Sequence, residues 1–244
     1  MARDPRLLRE IEHHRRIAPH AETIWNWESP AGQVRVERRV AFFIERGGLA
    51  PGRRALELGC GTAVFLSRVA RSGATVVGID LTPELLAKAR ERVRDAGNVR
   101  LVRGNAEENP FPDGSFDAVY GSSILHHLNL ERALREAYRL LRPGGRLMFS
   151  EPNILNPQVR FINIGPLKPY FGQSPDEMAF TRFRARRALR RAGFVDVDVR
   201  PFDFVHPSLP RPLIAGAVAV GRLLEWLPLA REIAGSMMMS GRRP

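Results

Sequence analysis

Two hydrophobic periods divide this chain. Up to about residue 50, apolar positions recur at helical spacing, with Leu7, Leu8 and Ile11 on one face and Val36, Val40, Phe43 and Ile44 on a second helix. From Arg53 short apolar runs alternate with longer amphipathic ones. Runs near 54–58, 75–79, 98–103, 116–121 and 145–150 predict strands, and 62–72, 83–96 and 130–141 predict helices. A helix over 179–192 and a strand over 194–200 follow. Alternation of this kind predicts right-handed crossovers and a parallel sheet. Trp25 and Trp27 fall between the two N-terminal helices, where period two puts them on one side of an extended segment, as a lid or acceptor wall or as buried packing.

A segment from about 203 to 235 interrupts the pattern. It is proline-rich at first and apolar from Pro212 to Val220, and Leu223, Leu224, Trp226, Leu227 and Leu229 then continue with Arg222 and Glu225 interposed. It is too short and too interrupted to span a bilayer. A helix covering the sheet edge or the acceptor pocket is the first reading, and a peripheral membrane contact through 212–230 or a dimer face the second.

The chemistry starts at Ala55-Leu56-Glu57-Leu58-Gly59-Cys60-Gly61-Thr62-Ala63. A buried strand runs into a turn where Gly59 and Gly61 let backbone N–H groups approach a ligand. Asp80 ends the next strand, where its carboxylate suits the hydroxyls of a ribose. A dinucleotide fingerprint needs a third glycine where this chain has Val64, and Glu57 aims negative charge at the turn, which suits an ammonium or sulfonium better than a pyrophosphate.

The pattern E-x-G-x-G resembles motif I of class I S-adenosylmethionine (SAM)-dependent methyltransferases, with Ala63 where that family usually has glycine. Further motifs follow in order: Asn105-Ala106-Glu107 after the third strand, Phe111 to Asp117 leading into the fourth, Ser123-Ile124-Leu125-His126-His127 after it, and Pro143-Gly144-Gly145 before the fifth. Singly each has a plain structural reading, such as a turn, a helix cap at Asp80 or a helix stop; their order argues otherwise. The segments 151–158 and 201–207 look like the bacterial type 11 group.

The resemblance implies a Rossmann-like α/β sheet of seven strands, the last (Ser236 to Ser240) antiparallel, with helices on both faces. It implies a helical cap over 1–50 and a SAM-binding domain over 51–244 with the 203–235 insertion. The implied donor contacts are Glu57, Leu58, Gly59, Cys60, Gly61, Asp80, Leu81, Asn105, Ala106, Glu107, Gly121 and Ser122. An oxygen acceptor must lose a proton, and His127, then His126, is the candidate base. Adjacent helical residues point about 100° apart, so one of the two is expected to face the site. The expected activity is methyl transfer from SAM to an oxygen, nitrogen or carbon of a small-molecule or lipid-linked acceptor. A noncatalytic SAM-binding or membrane-associated interaction protein, or an NAD(P)-dependent oxidoreductase, are the alternatives.

Composition narrows this further. The 244 residues suit one sizeable domain, and Cys60 as sole cysteine excludes an intramolecular disulfide or a cysteine-based zinc site. The charge of +12 invites a nucleic-acid partner. All but two of the 38 basic residues are arginines scattered over nearly every element, however, which argues against nucleic acid. Those between Arg182 and Arg191 read as a solvated helix face whose Phe183, Ala185, Ala188, Leu189 and Ala192 turn inward. The charged N-terminus lacks a signal region, so a cytoplasmic protein is expected, peripheral at a membrane if 212–230 makes contact. No metal is expected: His13, His14 and His20 read as surface residues.

Overall fold

The computed structural model describes residues 4–171, 173–174 and 176–244. Three helices open the chain: α1 (Pro5–Ile17), α2 (Ala21–Trp25) and α3 (Pro30–Gly47). Their starts are written locally. Asp4 and Ser29 accept hydrogen bonds from the Arg6 and Gly32 amides at 2.9 Å, and prolines fill the next position, where no intrahelical N–H is needed. Gly48, at φ +58°, ends α3.

Alternation then follows as the pattern predicts: β1 (Arg54–Leu58), α4 (Val64–Val69), β2 (Thr75–Asp80), α5 (Pro83–Val93), β3 (Val99–Arg103), β4 (Phe116–Ser122), α6 (Leu130–Leu140) and β5 (Leu141–Pro152). α7 (Pro157–Ile162), α8 (Arg182–Arg191), β6 (Val195–Phe202), α9 (Arg211–Trp226) and β7 (Ser236–Arg242) complete the chain. The strand order is β3-β2-β1-β4-β5-β7-β6, with β7 antiparallel to both neighbours. Order reverses between β1 and β4, so a crevice opens beyond their carboxyl ends.

Strand side chains alternate between two layers. Ala55, Val76, Ala118, Tyr120 and Met148 pack under α3, α4 and α5 with Phe43, Phe65 and Leu86. Leu56, Val77, Val119, Leu147 and Phe149 pack on the other face under α6 and α8 with Leu134, Ala137 and Leu189.

Several expectations are corrected. Trp25 lies in α2 and is separated from Trp27 by Asn26 at φ +53°, so the pair is not on an extended segment. Leu8 and Phe183 are exposed, because the buried stripes of their helices run through Glu10, His13 and Ile17, and through Ala185 and Leu189. β5 starts four residues ahead of the expected 145, since Pro143-Gly144-Gly145 is absorbed in an irregular strand start with Gly144 at φ +78°. α7 had no counterpart in the apolar pattern: none of its residues is buried.

Arginine is not merely a surface residue here. Arg39 of α3 is fully buried; its guanidinium donates to Asp203 Oδ2 and Ser236 Oγ at 2.9 Å and to Ser150 Oγ at 3.1 Å. It thereby ties α3 to β5, to β7 and to the chain leaving β6. Burial pulls the guanidinium down to about 10, against the attraction of Asp203, so it stays charged at neutral pH. Arg39 and Arg35 overcome the burial of Asp203 and hold its carboxylate at about 2.

Replacing Arg39 by Met should cost about 3 kcal/mol in denaturant unfolding, since Asp203 would keep a buried charge with fewer partners. Asp203→Asn in the same chain should recover part of the loss, as Asn tolerates the φ of +76° at 203. In the unaltered chain, the Asp203 contribution is present above the ordinary aspartate value of about 3.9 and is lost as pH falls toward 2.

Candidate functional site

Three residues of the turn after β1 take left-handed backbone: Gly59 at φ +63°, Gly61 at +51° and Ala63 at +63°. A Cβ at Gly59 would lie 2.4 Å from Ile124, so that position accepts glycine alone. Ala63 stands where the resembled family has glycine, in a conformation that strains an L-residue. The turn is closed by Asp80, whose Oδ2 accepts from the Gly61 amide and Oδ1 from the Thr82 amide, each at 2.9 Å. A carboxylate placed here is of the type that accepts from a diol. Thr82 flanks α5 without a side-chain cap, so Asp80 serves that helix start as well as the turn.

A cavity of about 390 Å³ lies over this turn. Glu57, Gly59, Cys60, Gly61, Asp80, Leu81, Ala106, Ser122, His126 and His127 all line it, as do Trp25 and Trp27. The structure places four other expected contacts differently. Leu58 is in the core, Gly121 is packed in β4, the Asn105 side chain accepts from the Glu107 amide, and the Glu107 carboxylate takes Arg6 and the Asn129 amide.

The cavity wall is acidic. Burial pushes Glu57 well above the usual carboxylate range, against a 2.9 Å hydrogen bond from Tyr120 and with the charge of Asp80 adding to the rise. Burial also raises Asp80, against the amides of Thr82 and Gly61. The Ser122 hydroxyl is buried with no hydrogen-bond partner among the described residues. A ligand bearing an ammonium or sulfonium and a diol meets each of these needs, and SAM has all three groups. The residues fit that donor.

A second acidic and imidazole cluster closes the other end. His126 and His127 sit in a 3-10 turn, Leu125–His127, with ring centroids 4.2 Å apart, and both line the cavity. The expectation that only one would face it fails because buried carboxylates draw both rings the same way. His126 Nδ1 is 2.7 Å from Glu151 Oε2, while Glu151 Oε1 accepts from the Ile124 and Leu125 amides. His127 Nδ1 is 3.0 Å from Glu10 Oε2 and 3.7 Å from Glu177 Oε1. Burial alone would lower His127; the bond to Glu10 and the charges of Glu177 and Glu151 raise it instead. Glu10, whose burial works in the opposite sense, is held at about 2 by His127.

Sequence reasoning missed this contribution of α1. Glu10 and His13 are buried and His14 is largely so, contrary to the surface reading, whereas His20 is exposed. Burial lowers His13, and burial with the charge of His127 takes His14 down to about 4. Spacing i, i+3, i+4 was the available signal, hidden because polar residues were assigned to solvent. Glu10, His14 and His127, and likewise His126, His127 and Glu177, bring ligand-type atoms within 4.8 Å of one another, a donor set able to hold a divalent cation. As arranged, the cluster neutralises itself through the ion pairs just described.

The sequence and the fold are matched by known proteins. Residues 56–149 match the family described as a methyltransferase domain. A demethylmenaquinone methyltransferase of Geobacillus kaustophilus is 32% identical over 184 residues, covering 66% of this chain and 79% of that protein. A ubiquinone/menaquinone biosynthesis C-methyltransferase of Vibrio campbellii is 36% identical, covering 64% and 63%. Among solved structures, a SAM-dependent methyltransferase of Thermotoga maritima superposes with a TM-score of 0.66 at 22% identity, covering 96% of this chain and 99% of that one.

Two outcomes follow from this geometry. Ala63→Gly should raise unfolding free energy by about 0.5–1 kcal/mol in a denaturant titration, because the left-handed strain outweighs the freedom added to the unfolded chain. The second concerns α1. The contribution of His127 is complete below its unfolded value of about 6.5 and is lost as pH rises through its raised folded value, whereas that of Glu10 fades only toward pH 2. Hydrogen-exchange protection of α1, corrected for intrinsic rates, should therefore fall on the alkaline side, and Glu10→Gln should largely abolish that dependence.

Proposed function

Since the chain belongs to the class I SAM-dependent methyltransferases, in the type 11 group, and moves the methyl group of SAM to a small molecule, we propose that the acceptor bears a hydroxyl group whose proton His126 removes. The His126–Glu151 pair on the wall of the donor cavity carries this reading. Glu151 is fixed by two backbone amides, so it holds the Nδ1 proton of His126 and leaves Nε2 as the basic atom. The proton of His127 is retained by Glu10, which makes His127 the cationic neighbour of the base and reverses the order expected from sequence.

SAM supplies an electrophilic methyl group on a sulfonium. Glu57 and Ser122 are proposed to hold its amino-acid end and Asp80 its ribose, with Gly59, Cys60, Gly61, Leu81 and Ala106 shaping the remainder. Trp25 and Trp27 help exclude water from the path between sulfur and acceptor. In the transfer the sulfur–methyl bond breaks as the new bond to methyl forms, and the hydroxyl proton goes to His126 Nε2. An oxyanion formed this way can take the methyl group itself or, in a hydroxylated ring, pass its electron pair to an adjacent carbon, which takes the methyl group and then gives up its own hydrogen as a proton, restoring the ring and its hydroxyl. The names of the relatives, which concern menaquinone and ubiquinone biosynthesis, favour a ring acceptor of this kind. The exposed apolar residues of α9 support a further element, a peripheral membrane contact through 212–230 and a lipid-linked acceptor.

Asp80→Ala should weaken SAM binding by about 1–3 kcal/mol in calorimetry, because ribose hydroxyls would lose their acceptor. His126→Ala should leave that affinity within about twofold yet lower kcat by about a hundredfold or more. Methyl-labelled SAM, offered with fractionated host extract and with a demethylmenaquinol, should label the ether or ring-methylated product of a hydroxyl-bearing acceptor. Label confined to amines, or full kcat in His126→Ala, would overturn the assignment of acceptor and base.

A further inference from the structure

Helix α9 has two apolar faces, and the protein covers one. Ile214 packs with Ala31 and Val205, Gly221 lies against Phe204, and Glu225 is turned inward to accept from Arg38 and from the Asp203 amide at 2.8 Å. On the opposite face Leu213, Val220, Leu223 and Leu227 stand at helical spacing with Trp226, 79% exposed, and Leu229, 89% exposed, just beyond. A helix apolar on both faces has a second partner.

Charge decides which. The exposed face carries Arg211 and Arg222 and no acid, because the one carboxylate of the helix is engaged inside. Pairing with a second copy through this face would set a cationic, acid-free surface against itself. Phosphate headgroups complement it instead. Among the described residues no helix is long and apolar enough to cross a membrane, and 16 residues give a cylinder about 24 Å long that can lie in the plane of a leaflet. The loop leading into α9 is also held near the site: His206 is 2.9 Å from Gln158 of α7, whose Ile162 lines the cavity.

We propose that α9 docks in the headgroup layer of an anionic lipid surface, with the leucines, Val220 and Trp226 in the acyl boundary and Arg211 and Arg222 on lipid phosphates. This rests on the peripheral membrane contact proposed above and adds its face, its orientation and the charge of the lipid.

Flotation of the full chain tests it, using vesicles of phosphatidylcholine alone and vesicles in which about one third is phosphatidylglycerol. The chain should float with the anionic vesicles and stay largely free of the neutral ones. Leu223→Ser with Trp226→Ser should lower partitioning about tenfold or more. Arg211→Gln with Arg222→Gln should reduce the anionic preference by about tenfold. SAM affinity of both variants should remain unchanged, which separates lost docking from lost folding. Equal binding to both vesicles would overturn the anionic face but leave the membrane contact standing. Binding to neither would overturn both. A concentration-dependent dimer that Leu223→Ser with Trp226→Ser dissociates would assign the face to a second copy and overturn the proposal.

Discussion

The burial of carboxylates around one cavity is the constraint on which the site depends. Glu10, Glu57, Asp80, Glu151 and Glu177 all line or adjoin it, and each charged form loses hydration there. Compensation differs from one to the next. Backbone amides serve Asp80 and Glu151, the His127 ring serves Glu10, and among the described residues Glu57 has only the hydroxyl of Tyr120. Glu57 is accordingly driven well above the ordinary range. A cationic ligand at that end would complete what the protein leaves undone.

That constraint also explains the helices that cover the cavity. A lid of purely apolar residues would leave His127 without the carboxylate it pairs with. α1 instead turns Glu10, His13 and His14 inward, and Arg6 binds the His127 carbonyl and the Glu107 carboxylate. α3 is held by another buried charge, Arg39, which reaches β5, β7 and the start of the 203–235 segment in one set of hydrogen bonds. Through Arg38 and Glu225 the same region orients α9. The insertion is therefore fixed to the core by ionic contacts on its inner side while its outer side stays apolar.

The strands and the glycine turn were legible because their signals are local. Strands buried on both faces need short continuous apolar runs, and a left-handed backbone pressed against Ile124 needs glycine at 59. The departure at Ala63 was legible too, although its meaning, a strained φ, required coordinates. Polar residues behave differently, since His13, Glu10 and Arg39 look the same in a sequence whether solvated or buried. Phe183 errs in the opposite sense, apolar yet exposed, because α8 buries only the narrow stripe of Ala185 and Leu189.

What the sequence determined by itself was the order of elements, the parallel sheet and the place of Asp80 at the end of β2, because hydrophobic period and turn chemistry act within a few residues. Tertiary structure alone decided which carboxylate each histidine meets. Glu10 reaches His127 across 117 positions and Glu151 reaches His126 across 25. Electrostatic pairing in a dry cavity depends on distance in space, and no local pattern encodes it.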